Sequence, residues 1–182
     1  MKKRKYSKKT YPKLVNKVRG TILTACINLE IIMDLYISEQ FADTNDKINE
    51  LSSFIITPRI SWSEKLEIFK LLIAKYNPVF GKKRSKFHTE IKAIIEHRNV
   101  FAHYPAHISQ LSIDMYNEHE KMTFAKIKAF TLDGQTKEIG YGKVPVYTNK
   151  KIDEVILSCN LYIKEIKKLL RTFKKKKTHL HP

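Results

Sequence analysis

The sequence predicts a mainly α-helical protein with a β-hairpin inserted before its last long helix. Three observations support this prediction. Apolar residues recur every three or four positions through most of the chain, glycine and proline are scarce (five and six residues of 182), and one late segment changes to a strand pattern around a turn. Apolar residues make up 42% of the chain, which is enough for a core and too many for a disordered protein.

The first predicted element after a basic, flexible arm (residues 1–12) is a long helix. It begins near Lys13 and ends near Phe41. Its apolar stripe consists of Leu14, Val18, Ile22, Ala25, Leu29, Ile32 and Tyr36. Residues 42–46 are turn-like, and residues 47–56 predict a shorter helix that Thr57-Pro58 closes.

Two further helices are predicted before residue 105. Ser61 and Glu64 form a capping-box pattern that starts a helix, and this helix stops before Asn77-Pro78. Residues 81–86 are expected to be a basic link. The next helix begins near Ser85 and is broken by Pro105.

The pattern then changes to strands over about residues 122–148, with Asp133-Gly134 as the turn of the hairpin. Asn149 is predicted to cap a final helix, with Asp153 and Glu154 favourably placed near its N-terminus. Residues 13–172 are therefore expected to form one domain, followed by a basic tail at 173–182.

The charge points to a polyanionic partner. The formal net charge is +17, and many of the cations cluster at residues 2–9 and 171–177, where there is no acid. Nucleic acid is the first candidate for such a partner, although lysine-rich tails can also serve only solubility. The predicted RNA-binding residues are Lys82, Lys83, Arg84, Lys174, Lys175, Lys176 and Lys177.

Cys26 and Cys159 lie far apart in apolar helical stripes and are expected to be buried thiols of a cytoplasmic protein. There is no run of about 18 uncharged apolar residues, so no membrane span is expected. The basic N-terminus precedes no uninterrupted apolar stretch, which makes it a poor signal peptide.

The candidate functional motif is Arg98-Asn99 followed by His103, within an otherwise apolar helix. Asn99 and His103 are four residues apart and share a helix face, whereas Arg98 points about 140° away from His103. A site built from these residues needs a helix end, a bend or a second copy of the chain. The residue types alone are also compatible with a helix C-terminus that has purely structural roles.

This motif resembles the R-x4-6-H signature of the HEPN superfamily, many of whose members are metal-independent ribonucleases. Asn99 and Ala102 match the common bacterial form, and the helix order, including Ser63-x-Lys65 at the start of an apolar helix, is similar to that of abortive-infection HEPN proteins. Toxins that pair with nucleotidyltransferase antitoxins carry a tyrosine two positions after the histidine. Here Pro105 occupies that position.

The resemblance implies an HEPN-like helical bundle that cleaves RNA by attack of a 2′-hydroxyl on the adjacent phosphate. His103 would act as acid and base, Arg98 would bind the phosphate, and Asn99 would orient His103 or the RNA. It also implies a homodimer with a composite active site, no cofactor, and a role in bacterial defence or a toxin–antitoxin system, with an antitoxin or regulatory RNA as a possible partner.

Other candidate sites are weaker. His103 and His107 have metal-ligand spacing, but Pro105 lies between them and no cysteine or acidic cluster accompanies them, so no metal is expected. Glu30 and Asp34 are predicted to lie on a solvated helix face. The remaining aromatic candidates for base stacking are better explained by packing; they are Trp62, Tyr141 and Tyr147.

Three functional hypotheses remain at this stage. The first is the endoribonuclease described above. The second is a non-catalytic RNA-binding module of the same fold that holds a partner RNA. The third is a helical protein-interaction subunit in which Arg98 and His103 are purely structural.

Overall fold

The computed structural model describes the backbone of residues 5–124, 127–132, 136–141 and 145–180, and their side chains except in 127–141 and 174–180. The helices are α1 (Tyr11–Phe41), α2 (Asn45–Glu50), a π-helical turn (Leu51–Ile56), α3 (Thr57–Arg59), α4 (Trp62–Tyr76), α5 (Pro78–Lys83), α6 (Phe87–His103), α7 (Gln110–His119) and α8 (Asn149–Leu180). The strands are β1 (Lys121–Thr123), β2 (Ile127–Leu132), β3 (Thr136–Tyr141) and β4 (Val146–Thr148).

The fold class is confirmed: the protein is mainly α, with a β-hairpin before the last long helix. β2 and β3 pair antiparallel from Ile127 with Tyr141 to Leu132 with Thr136. β1 and β4 form a second antiparallel pair, in which Met122 lies opposite Tyr147. The predicted turn at 133–134 lies outside the described residues.

The helical segment after α1 extends further than predicted. Thr57-Pro58 does not close it, because the π-helical turn runs directly into α3 and helical structure continues to Arg59. The backbone N–H of Thr57 donates to the carbonyl of Ser52, five residues earlier. Pro58 lies in the first turn of α3, where a proline has no N–H to contribute.

Three other expectations need correction. Gly81–Lys83 are helical in α5, which starts at Pro78 because a first-turn proline gives up no helical hydrogen bond. Helix α7 is capped by Ser109, whose side chain accepts from Ser112 N, and it is absent from the sequence prediction. The side chain that caps α8 is Thr148, which accepts from Lys151 N, while Asn149 instead contacts Tyr116 and Glu120.

The described chain divides into two compact units, residues 1–23 with 97–156 and residues 24–96 with 157–182. In the first unit the rings of Phe101, Phe124 and Tyr147 pack edge to face. The centroid of the Phe101 ring lies 4.7 Å from the centroid of each of the other two.

Residues 5–10 of the predicted arm precede α1. Within that segment the backbone of Tyr6 exchanges two hydrogen bonds with the Asn117 side chain. The predicted division into arm, domain and tail stays a prediction.

The second unit has an aromatic core in which Phe69 contacts Tyr36 at 5.0 Å and Phe87 at 5.8 Å between ring centroids. The prediction that Cys26 and Cys159 are buried thiols is confirmed, and their sulfur atoms lie 3.9 Å apart. The Tyr162 hydroxyl donates a hydrogen bond to Glu90. These contacts join α8 to α1 and α6 inside this unit.

Glu30 and Asp34 do not lie on a solvated face, contrary to the prediction. Lys65 of α4 is fully buried and donates to Glu30 Oε1 at 2.8 Å and to Asp34 Oδ2 at 2.9 Å. Thr57 donates a further hydrogen bond to Asp34 Oδ2. The two carboxylates therefore belong to a buried ion cluster whose cation comes from another helix.

Helix α1 is long and apolar enough, by length and composition, to cross a membrane. Half of its most apolar window is nevertheless buried within the protein, and the helix carries the buried carboxylates of Asp34 and Glu39. Core helices of soluble proteins meet the same criterion, so this feature is weak support for a membrane location.

Two buried tyrosines are expected to make the folded protein less stable at alkaline pH. Burial raises the pKa of Tyr11 to about 12 and that of Tyr36 to about 12. A raised folded-state pKa means that stability is complete below pH 10 and falls as the pH rises from 10 to 12, by on the order of 2 kcal/mol per group. Absorbance at 295 nm should show late-titrating phenols in the folded protein. A single titration of all tyrosines near pH 10 would contradict this.

Candidate functional site

The candidate site is the C-terminal end of α6, where the helix stops at His103. Tyr104 precedes Pro105, and a residue before proline disfavours the helical backbone. The Tyr104 N–H still donates to the Val100 carbonyl at 3.0 Å, so the last helical hydrogen bond is intact. His103 is thereby presented at the very end of the helix, with its side chain exposed.

The three predicted catalytic residues lie within the last two turns of α6. Arg98 Nη1 donates to Asn99 Oδ1 at 3.1 Å, so the guanidinium turns toward its neighbour along the helix surface. Asn99 is exposed and shares the face of His103, while Arg98 is half-buried. Asn99 therefore contacts Arg98 directly and shares a helix face with His103.

Arg98 and His103 remain separated along the helix. Five residues of α-helix advance about 7.5 Å along the axis and turn by about 140°. The hydrogen bond to Asn99 turns the head of Arg98 sideways, yet the backbone positions still diverge. One α6 thus presents Arg98 and His103 from different sides of the helix.

Arg19 of α1 secures the end of this helix, and sequence reasoning missed it. Its Nη2 donates to the backbone carbonyl of Tyr104 at 2.7 Å, and its guanidinium carbon lies 5.9 Å from the centre of the Phe124 ring. A cation at a helix C-terminus satisfies a carbonyl that has no partner within the helix. No local sequence signal could show this, because 85 residues separate Arg19 from Tyr104.

The opposite face of this part of α6 packs against buried aromatic side chains. Phe101 is fully buried, and His97 Nδ1 lies 2.9 Å from the Tyr147 hydroxyl. Tyr147 is itself buried, so it packs in the core and has no free face for a base. Trp62 is buried in the second unit as well, while Tyr141 lies among the side chains outside the described set.

His107 has a structural environment. Its Nδ1 lies 2.9 Å from Ser112 Oγ and 3.4 Å from Ser109 Oγ, and its backbone N–H donates to the Thr123 carbonyl. These contacts fix the segment between α6 and α7. Within the described part of the chain, no group of three or more histidine, cysteine, aspartate or glutamate side chains is arranged to hold a metal ion.

The predicted RNA-binding cations differ in their surroundings. Lys82 and Lys83 are exposed in the last turn of α5. Arg84 is half-buried and its Nη2 lies 3.5 Å from Glu165 Oε1, so part of its charge is neutralised within the fold. The side chains of Lys174 to Lys177 lie outside the described set, although the α8 backbone continues through them.

No protein-family model matches the chain, and neither the curated proteins nor the solved structures contain a significant match to it. The functional interpretation therefore depends on the motif, the charge and the geometry described above.

Proposed function

We propose that this protein is a metal-independent endoribonuclease of a bacterial defence or toxin–antitoxin system, acting in the cytoplasm as a homodimer. The observation that carries the proposal is the end of α6, where an exposed His103 shares a helix face with Asn99, to which Arg98 is hydrogen-bonded. The resemblance of this motif to the HEPN signature supports it. The net charge of +17 supports an RNA substrate.

The chemistry needs only these side chains and the RNA. A neutral histidine accepts the proton of a ribose 2′-hydroxyl, whose oxygen then attacks the adjacent phosphorus. The bond to the 5′-oxygen breaks, and a protonated histidine gives its proton to that leaving oxygen. The products are a 2′,3′-cyclic phosphate and a 5′-hydroxyl, and Arg98 would stabilise the additional negative charge on the phosphorane oxygens.

The positions of the two residues on α6 suggest why a dimer is part of the proposal. The His103 that takes the proton of the 2′-hydroxyl can return it to the leaving oxygen in a later step, so each site needs one His103 beside one Arg98. A dimer that brings two α6 ends together would also place Arg98 of one chain beside His103 of the other. The two residues would then meet in the dimer, although they point to different sides of a single helix.

Cleavage of RNA in the presence of EDTA is the direct test. We expect Arg98→Ala and His103→Ala each to lower the cleavage rate by at least about 100-fold, the size typical of losing an acid–base or charge-stabilising group. Matched controls are Arg59→Ala and His119→Ala, because both positions are exposed and lie outside the motif. Cleavage that persists in both motif variants would overturn the proposal.

The second candidate function is a non-catalytic RNA-binding module, favoured by the same net positive charge. It predicts RNA binding that falls steeply with salt and survives His103→Ala unchanged, with no cleavage by the wild-type protein. Measuring binding and cleavage on the same labelled RNA distinguishes the two functions.

A further inference from the structure

The second unit contains a cavity of about 550 Å³ between α1, α2 and α8. Its apolar surface comes from Leu35, Ile48 and Leu170, one from each of these helices. All of its lining residues belong to this unit, whereas Arg98, Asn99 and His103 belong to the other. The cavity has the size of small-molecule sites, which typically range from about 300 to 1,000 Å³.

Two cations line the cavity from α8. Lys167 and Arg171 are one helical turn apart, and neither has an ion pair within 4.0 Å among the described residues. Lys168, between them in sequence, is instead paired with Glu165 at 3.6 Å. Like charges at this spacing repel each other on a helix, so an anion bound between Lys167 and Arg171 would be stabilising.

The facing helix contributes two amides. Asn45 and Asn49 are also one turn apart, on α2, and neither side chain makes a hydrogen bond to another described residue. An amide offers both a donor and an acceptor, which suits the edge of a heterocyclic ring. Glu39, which is 5% exposed, also lines the α1 side of the cavity, where it already has an interaction partner.

We propose that this cavity binds a nucleoside monophosphate. The phosphate would lie between Lys167 and Arg171, and the base would pack on Leu35 and Leu170 with its polar edge toward Asn49. Inorganic phosphate would use the cations alone, and a nucleoside would use the apolar surface and the amides alone. The proposal does not rest on ribonuclease activity, since no residue of the α6 motif lines the cavity.

Isothermal titration of the full chain, purified free of nucleic acid, tests this binding. The probes are AMP, GMP, CMP and UMP, each compared with its nucleoside and with inorganic phosphate. We expect at least one monophosphate to bind, with affinity at least ten-fold above that of the matching nucleoside and of phosphate. No binding by any of the four monophosphates at millimolar concentration would overturn the proposal.

Variants locate the site. Arg171→Ala and Asn49→Leu should each weaken binding by at least ten-fold, while Lys168→Ala should leave it unchanged. Lys168→Ala is the matched control, because it removes the same charge from the same helix without touching the cavity. Equal weakening by Arg171→Ala and Lys168→Ala would mean general attraction of anions and would overturn the proposal.

The His103→Ala variant separates this proposal from the proposed function. Nucleotide binding should persist in that variant, and RNA cleavage should not. Circular dichroism of every variant verifies that the fold is intact, and loss of binding with an intact fold in Asn49→Leu supports the site independently of charge.

Discussion

Replacement of Lys65 by methionine is expected to destabilise the protein by about 3–5 kcal/mol, the cost of breaking a buried ion pair. Lys65 is fully buried and its ammonium group bonds to two carboxylates, of which Asp34 is 1% exposed. Methionine fills a similar volume but leaves the Asp34 carboxylate buried without its counter-ion. Urea denaturation at neutral pH, followed by circular dichroism, measures the change in the free energy of unfolding.

The pH dependence of this effect has a defined sign. Burial raises the pKa of Asp34, and Lys65 opposes that rise. Without Lys65 the pKa of Asp34 rises further, so the variant loses stability as the pH increases from about 4 toward neutrality. The difference between wild type and Lys65→Met should therefore shrink at pH 4, where the carboxyl is protonated more of the time.

Two further variants distinguish burial of charge from loss of packing. Lys70→Ala removes an exposed lysine of the same helix and should change stability by less than about 0.5 kcal/mol. Adding Asp34→Leu to Lys65→Met should recover much of the loss, because the unpaired charge is then gone. A loss below about 1 kcal/mol in Lys65→Met would contradict a buried ion cluster.

This cluster illustrates what the sequence cannot reveal. Carboxylates one turn apart on an amphipathic helix look the same whether water or a buried lysine faces them. The lysine lies 31 residues from Asp34 and 35 from Glu30, so only the folded chain identifies the partner. Local patterns describe which groups share a helix face, and long-range packing decides what covers that face.

The helices themselves were predictable where apolar periodicity and end signals agreed. α4 begins with the predicted capping box of Ser61 and Glu64, and it ends at Tyr76, before Asn77-Pro78 as expected. The sequence did not predict α7, because a ten-residue helix with only three buried positions has a weak apolar stripe. Its start was marked by Ser109 alone, without the glutamate or glutamine of a full capping box.

The sequence could point to the candidate residues, but it could not identify the side chains that hold the end of α6 in place. Arg98, Asn99 and His103 stand out because polar groups interrupt an apolar helix and resemble a known motif. Arg19, Phe124 and Tyr147 come from distant segments, and each of these residues has an ordinary structural explanation in the sequence. These contacts can therefore be seen only in the folded protein. They fix the end of α6, where the motif lies.

Mixing two inactive variants is expected to restore activity if the active site combines Arg98 of one chain with His103 of the other. Arg98→Ala and His103→Ala homodimers would each lack one required group in both sites. A mixed dimer would contain one site with both defects and one site with Arg98 and His103 intact. Random subunit exchange at equal concentrations makes half of the dimers mixed, so activity should recover toward about a quarter of wild type, against the loss of at least about 100-fold in each variant alone.

The experiment requires the two proteins to be mixed, briefly exposed to mild denaturant to exchange subunits, and assayed on labelled RNA in EDTA. A mixture of His103→Ala with the double variant Arg98→Ala/His103→Ala is the matched control, because no exchange can create an intact pair. Recovery only in the first mixture identifies a site built from two chains. If neither mixture recovers while light scattering shows mixed dimers, Arg98 and His103 do not act across the interface, and the divergence of these residues on α6 must be overcome within one chain.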